Sequence, residues 1–194
     1  MSEPRVLSMK QYLAAGGDAL FSGFACPLNQ EVDDFLKIKA VQSNNLKASV
    51  SYLVVDPVTA ELLGYFTLVL KPFTVHESKL SKSNIRLISR FAERNDETQT
   101  FTASVYLIAQ IGKNYAVDAN RRISGKDLLD LAFDKLRAAQ DLVGGKMVMV
   151  EREADREKLH DFYAANGFKS WNARFDKRDN VQYDQMIRAL ESVA

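Results

Sequence analysis

The chain has 194 residues, 46% of them apolar, 26% charged and 10% aromatic, with 26 Lys plus Arg against 25 Asp plus Glu and a formal net charge of +1. This excludes a disordered chain, which needs fewer apolar residues and a larger charge imbalance, and a disulfide scaffold, because Cys26 is the single cysteine. No apolar run approaches the ~20 residues of a bilayer span, the N-terminal MSEPRVLSMK has no signal-peptide core, and near-neutrality argues against a surface that coats nucleic acid as a whole. The expectation is a soluble, cytoplasmic domain.

With four Pro, nine Gly and no Gly/Ser-rich linker, one domain over 1–194 is the simplest reading. The first clear helix follows Cys26-Pro27, where Leu28, Val32, Phe35, Leu36 and Ala40 recur at helical spacing and Asn29, Glu31, Asp33, Lys37 and Lys39 take the wet side. Pro27 suits a helix start, since its missing N–H costs nothing there. SVSYLVVD (49–56) and LLGYFTLVLK (62–71) are β-rich runs joined by a short Asp-Pro turn, the pattern of an antiparallel hairpin. Residues 78–91 read as a helix with Leu80, Ile85, Ile88 and Phe91 on its apolar side, an excursion between strands.

TFTASVYLIAQI (100–111) is a strand whose apolar end predicts burial on both faces. The strongest helix starts near Gly125: Leu128, Leu129, Ala132, Phe133, Leu136, Ala139 and Val143 form a wide apolar stripe that Gly144-Gly145 stops. MVMVE (147–151) is a buried strand. Asp155 can cap a helix that runs to Ala165 and ends at Asn166-Gly167, and 168–175 and 182–190 are closing strands. A mixed α/β sheet covered by helices buries all these faces.

Between Ile111 and Leu128-Leu129 lies GKNYAVDANRRISGKDLL. A buried strand feeding a Gly-bearing turn and then a helix is an anion-binding arrangement, because the orphan N–H groups of the first turn and the helix dipole face the loop. Arg121, Arg122 and Lys126 add cationic side chains there. Alone, the signal is weak, since a glycine before a helix is common.

Further along stands Asp161-Phe162-Tyr163-Ala164-Ala165-Asn166-Gly167-Phe168. A helix ending in Phe-Tyr, then Asn-Gly, then Phe into a strand resembles the FY-x-x-x-GF signature of the GNAT acetyltransferase superfamily. The order of elements matches that family: hairpin, long strand, cofactor loop with helix, short strand, helix, two strands. The segments Phe24-Ala25-Cys26-Pro27-Leu28-Asn29 and Gly64-Tyr65-Phe66-Thr67-Leu68 are similar to a subgroup with toxin-type and phage-borne members. The resemblance covers most of residues 20–190. It implies an α/β GNAT fold with a mixed, mostly antiparallel central sheet flanked by helices, an N-terminal extension of about 1–20 and an inserted helical segment of about 72–100.

The loop departs from the family's Q/R-x-x-G-x-G/A pattern, and two registers are open. One matches Arg122 to Asp127; the other sets Gly125 to Leu129 on the family's G-x-x-L-L, with Asn120 first and Ile123 where a glycine is usual. The second lets Leu128-Leu129 face the core, and Gly125 then gives the backbone its close approach to pyrophosphate.

The resemblance implies acetyl-CoA as cosubstrate and acetyl transfer to a primary amine of a small molecule, a protein or an aminoacyl-tRNA. Such chemistry needs a neutral amine although a lysine-like amine has a pKa near ~10.4, N–H donors for the developing oxyanion, and a proton or hydrogen bond for the departing thiolate. By resemblance Tyr163 serves the thiolate. The strand residues Ile108, Ala109, Gln110 and Ile111 bind the carbonyl and pantetheine arm, and the loop Arg121, Arg122, Ile123, Ser124, Gly125 and Lys126 meets the phosphates. Simple aromatic packing is the alternative for Tyr163. No general base stands out: Glu151 ends a strand near the expected cleft, Gln110 lies on the cofactor strand, and either can merely structure the site. Cys26 reads as a core residue, and neither His76 nor His160 is placed by a motif. Trp171, Phe175 and Tyr183 are candidates to border an acceptor channel, with core packing the better reading for Phe175.

Residues 71–94 carry six basic against two acidic side chains. Lys82, Arg86, Arg90 and Arg94 repeat at i, i+4 and make one stripe on the expected helix. A tRNA backbone is the partner such a stripe would take, although most charge runs are solvated faces. Two other functions stay open: a toxin of a toxin–antitoxin pair acting on charged tRNA, or a GNAT-fold binding protein that has lost catalysis. A homodimer is compatible with each. Membrane and metal are not expected.

Overall fold

The β-rich runs satisfy their hydrogen bonds in one mixed sheet, which in the computed structural model has the strand order β1-β2-β3-β5-β6-β8-β7, with β4 paired to β5. Residues 3–16, 21–116, 122–177 and 180–190 are described. They group into two units, 1–69 with 108–135 and 70–107 with 136–194.

In the first unit, β1 (Arg5–Ser8) forms the sheet edge, antiparallel to β2 (Val50–Val55) from Arg5↔Val55 to Ser8↔Tyr52. The residues read as an N-terminal extension therefore carry a strand. Helix α1 (Met9–Ala14) follows at once, because Ser8 and Gln11 make a reciprocal capping box. β3 (Leu62–His76) pairs antiparallel with β2, the hairpin expected from the Asp-Pro turn. Asp56 shapes that turn by accepting from the N–H groups of Val58 (2.8 Å) and Thr59 (3.0 Å).

Helix α2 (Gln30–Asp34) starts later than Pro27 suggests, because Asn29 is the cap: its Oδ1 accepts from Glu31 N–H at 3.1 Å and Val32 N–H at 3.3 Å. It continues through a π turn (Phe35–Lys39) into α3 (Ala40–Asn45). Val32, Leu36 and Ala40 are buried as expected, whereas Leu28 precedes the cap and is 67% exposed. Asp33, expected on the wet side, is buried and accepts from Cys26 N–H (3.0 Å) and Lys37 Nζ (2.6 Å). Cys26 is a buried core residue with Met9, Tyr12, Phe24 and Leu36.

Two glycines set how closely layers approach in this unit. A Cβ at Gly64 would stand 2.8 Å from the Gly112 carbonyl oxygen and 2.9 Å from Leu128 Cδ1; one at Gly112 would stand 2.4 Å from Val32 Cγ1. Leu128 belongs to helix α5 (Gly125–Val143), whose Leu128, Leu129 and Ala132 are wholly buried.

In the second unit, β4 (Glu93–Asn95) makes a short hairpin with β5 (Thr100–Lys113). Val105 to Ile108 are buried in succession, as the both-faces expectation requires. β5 is parallel to β6 (Met147–Glu153) at Tyr106↔Val148 and Leu107↔Met149, and β6 pairs antiparallel with β8 (Val181–Ala189), which pairs antiparallel with β7 (Lys169–Asp176).

The helix read over 78–91 is shorter. A 3-10 turn (Glu77–Lys79) precedes α4 (Lys82–Ile88), which Ser81 caps and Ser89 closes by donating from Oγ to the Ile85 carbonyl at 2.7 Å. Helix α6 (Glu157–Ala165) follows Arg156, and no side chain caps it, so Asp155 does not play that role. The helix ends as expected at Gly167, whose φ of +83° suits a residue without Cβ.

The Gly64 contact yields a test. Gly64→Ala forces overpacking of the kind that costs roughly 1–3 kcal/mol, so its urea midpoint falls clearly. Gly23→Ala, whose added carbon meets nothing within 4 Å, leaves the midpoint nearly unchanged.

Candidate functional site

The loop-to-helix segment is built from Ile123 onward; Asn120 and Arg121 lie outside the described residues. Ile123 is buried and anchors the loop. Ser124 caps α5: its backbone N–H donates to Asp127 Oδ2 at 2.8 Å, and Asp127 N–H donates to Ser124 Oγ at 3.1 Å. This reciprocal box uses Asp127 N–H, while Leu128 N–H donates to the Ser124 carbonyl at 3.2 Å. Among the described residues no partner takes the N–H groups of Gly125 and Lys126, which lie at the positive end of a helix of 19 residues. Two free amide donors at such an end suit one phosphate group.

The cationic side chains are engaged elsewhere. Arg122 donates to Asp56 (2.9 Å), Thr59 (3.3 Å) and Glu61, which ties the loop to the β2–β3 turn. Lys126 pairs with Asp130 at 2.5 Å. Carboxylates thus pair with Arg122 and Lys126, the two described cations among the three assigned to the phosphates. In this unit a groove of about 470 Å³ is lined by Glu3, Asp56, Arg122, Ile123, Asp127 and Asp130 among others.

Two carboxyls here are held below the ordinary range. The Thr59 N–H, then the Val58 N–H and Arg122, lower Asp56; the Ser124 side chain and N–H lower Asp127.

On β5, the strand expected to bind the pantetheine arm, Ile108 is buried, and Ala109, Gln110 and Ile111 are half-buried. Beyond them stands Asn114, 3% exposed, a hub the sequence reading missed. Its Oδ1 accepts from Ala25 N–H (3.0 Å) and Ala116 N–H (2.9 Å), and its Nδ2 donates to the Leu62 carbonyl (2.8 Å). Ala116 is a local turn contact two residues on, but Ala25 and Leu62 are distant in sequence, so no local pattern marks the residue as a hub.

In the second unit Tyr163 sits on α6, 3% exposed, with ring centroids 5.3 Å from Phe162 and 5.5 Å from Phe168. Burial pushes its phenol well above the usual value, so the group is a donor and not a base at physiological pH. His160 lies on the same helix, 3.3 Å from Asp161.

Glu151, on β6, is not isolated. Its Oε1 accepts from Gln185 Nε2 at 2.7 Å and its Oε2 from Arg174 at 3.2 Å. Arg174 also donates to Asp176 at 2.7 Å and lies 4.8 Å over the Tyr183 ring. Trp171 is 6% exposed, whereas Phe175 is 56% exposed, against the core expectation. A β-bulge between Ser170 and Asn172 turns Trp171 inward and shifts the alternation of β7, so Phe175 faces water.

The basic stripe is not one helix face. Lys82 and Arg86 are on α4, but the helix stops at Ile88, which leaves Arg90 in a turn and Arg94 on β4. Arg94 pairs with Glu77 (3.0 Å) and Asp96 (3.3 Å) and covers the Phe101 ring at 5.8 Å. Lys82, Arg86 and Arg90 are exposed.

Solved structures share this architecture over nearly the whole chain. A Tyr-to-Phe variant of KacT matches with a TM-score of 0.66 and 19% identity, over 97% of this chain and 96% of that one. AtaT complexed with acetyl-methionyl-tRNAfMet matches with a TM-score of 0.63 and 18% identity, over 93% and 94%. AtaTR bound with acetyl-CoA matches with a TM-score of 0.60 and 16% identity, over 98% and 95%. The chain has the GNAT fold. No family model matches the sequence, and no curated protein matches it. Among the described residues no helix is long and apolar enough to cross a membrane, and no cluster of metal-ligating side chains occurs.

The Asp56 and Asp127 geometry predicts an acid limb. A carboxyl held below its unfolded value contributes stability above that value and loses it as pH falls through the folded value. The melting temperature therefore drops as pH goes from 6 to 3, and the drop is smaller in Asp127→Asn. Ser124→Ala at pH 7 costs about 0.5–2 kcal/mol as a lost cap, read by urea unfolding.

Proposed function

We propose that this protein is a cytoplasmic, acetyl-CoA-dependent N-acetyltransferase whose acceptor is the primary amine of an aminoacyl-tRNA, in the manner of a toxin. The observation that carries the reading is a fold shared end to end with AtaT, a toxin solved with acetyl-CoA and with acetyl-methionyl-tRNAfMet. The buried Tyr163 donor supports it, and both KacT and AtaT were solved as Tyr-to-Phe variants. An antitoxin partner is part of the proposal, since AtaT was solved with the C-terminus of AtaR.

In the reaction, the neutral amine attacks the thioester carbonyl, the new C–N bond forms, and the C–S bond breaks. Tyr163 gives its phenolic proton to the leaving thiolate, and the proton lost by the amine restores the phenol, so CoA thiol and acetamide are the products. The Gly125 and Lys126 N–H groups hold phosphate, and the backbone of Ile108, Ala109, Gln110 and Ile111 holds the pantetheine arm. Arg121, Arg122, Ile123 and Ser124 complete the loop, Arg122 by fixing it to the β2–β3 turn. Lys82, Arg86 and Arg90 meet the RNA backbone, where phosphate contacts position without reading sequence.

A second reading, a binding protein that has lost catalysis, is favoured by the pairing of Arg122 and Lys126 with carboxylates. Thiol release separates the two. With acetyl-CoA and aminoacyl-tRNA the protein releases thiol, and Tyr163→Phe lowers kcat by roughly 10²-fold or more with an unchanged melting temperature. No release with any amine leaves the binding-protein reading. For the RNA contact, replacing Lys82, Arg86 and Arg90 by Gln weakens tRNA binding and flattens log K against log salt by about one unit per contact. An unchanged slope removes those residues from the interface.

A further inference from the structure

Helix α6 brings little packing of its own to the sheet: among its nine residues Tyr163 alone has a buried side chain. No side chain caps its start. An isolated helix shorter than ~12–15 residues is marginal in water, so the place of α6 is set by groups outside it. Two guanidinium groups of the same unit grip its ends.

Arg152, on β6, is 6% exposed and serves the start. Its Nη1 donates to the carbonyls of Glu153 (2.9 Å), Ala154 (3.0 Å) and Arg156 (3.4 Å), the connection that leads into the helix. Its Nη2 pairs with Asp184 on β8 at 2.6 Å. The helix dipole does not account for a cation at this end, since an N-terminus favours anions; the three carbonyls do. Arg188, on β8, serves the other end. Its Nη1 donates to the Asn166 carbonyl at 2.8 Å, and its Cδ lies 3.5 Å from where a Gly167 Cβ would stand. The turn it grips is a Schellman pair, with Phe168 N–H donating to the Tyr163 carbonyl and Gly167 N–H to the Ala164 carbonyl, each at 3.0 Å. The Tyr163 backbone is thus bonded into the turn that Arg188 holds.

The two grips match the helix in length. Arg152 faces Asp184 and Val148 faces Arg188 across the β6–β8 ladder, so these side chains share one face of the sheet. Asp184 and Arg188 are four positions apart on β8, which is about 13 Å along a strand. The nine residues of α6 also span about 13 Å.

We infer that Arg152 and Arg188 are positioning residues for acetyl transfer, clamping α6 at both ends and so holding the Tyr163 phenol at the reacting thioester. A phenol that protonates a thiolate must stand within hydrogen-bond reach of it, and a misplacement of about 1 Å costs on the order of 10²-fold in rate. The inference rests on the proposed transfer with Tyr163 as proton donor, and its two tests separate the clamp from that reading.

The first test is kinetic, with thiol release from acetyl-CoA and aminoacyl-tRNA. Arg188→Gln lowers kcat by about tenfold or more and leaves KM for acetyl-CoA unchanged, while Arg188→Lys, which returns a cationic donor, recovers part of the loss. In a Tyr163→Phe background Arg188→Gln lowers kcat no further, because the clamp acts through the phenol. A smaller folded fraction, the merely structural effect, lowers kcat again in that background. Arg152 is tested as Arg152→Lys, since truncation removes the cation from beside Asp184, and it shows the same non-additivity. An undiminished kcat in Arg188→Gln, or equal falls with and without the phenol, overturns the inference.

The second test, amide hydrogen exchange, needs no turnover. Arg188→Gln speeds exchange over residues 161–168 by about tenfold or more, while the β6 amides keep their rates. Unchanged rates over 161–168 overturn the clamp whatever the activity. Faster exchange there, in a protein that releases no thiol, upholds the clamp and removes the acetyltransferase reading.

Discussion

The first turn of α5 can pack against the sheet only because β3 carries no side chain at position 64. Leu128 fills that gap at a distance no Cβ would tolerate, and the Gly112 carbonyl closes it from β5. Backbone-on-helix approach of this kind is rigid, since neither the carbonyl nor a wholly buried leucine can move without disturbing the layer beneath. The Ser124–Asp127 box then fixes where the helix begins, and with it which amide donors stay free. Asn114 holds the adjoining strand end to Ala25 and Leu62 through backbone groups alone. Packing, capping and a buried amide hub thus serve one purpose in this unit, a fixed helix terminus.

Charge is managed differently in the two units. Around the loop, the described cations Arg122 and Lys126 are paired with carboxylates, which leaves amide donors and the helix dipole as the described anion-favouring groups there. In the second unit Arg174 is shared by two acids. Exposed cations cluster on and after α4, whereas Arg94, farther along the same run, is tied down by Glu77 and Asp96. A formal charge of +1 is therefore the sum of locally opposed surfaces.

Much of the architecture was legible. Strand runs, the Asp-Pro hairpin, the helix from Gly125 to Gly144-Gly145 and the Asn-Gly stop after α6 are local signals, and local energies decided them. Errors fell where a neighbour overruled the local pattern. Asn29 outcompeted Pro27 as a helix start because its side chain satisfies two amides. Ser89 closed α4 early and broke the basic stripe. The bulge at Trp171 changed which face Phe175 presents, since one extra residue inverts the alternation of a strand.

For the site, the sequence by itself determined the helix terminus, the Phe-Tyr pair and the glycine stop, because each depends on residues within a few positions. Only tertiary structure decided that Arg122 serves the β2–β3 turn, that Glu151 is held by Gln185 and Arg174, and that Arg152 pairs with Asp184 across the β6–β8 ladder. These facts join side chains from separate strands across tens of positions. Their energies depend on desolvation and distance, quantities that exist only once the chain has folded.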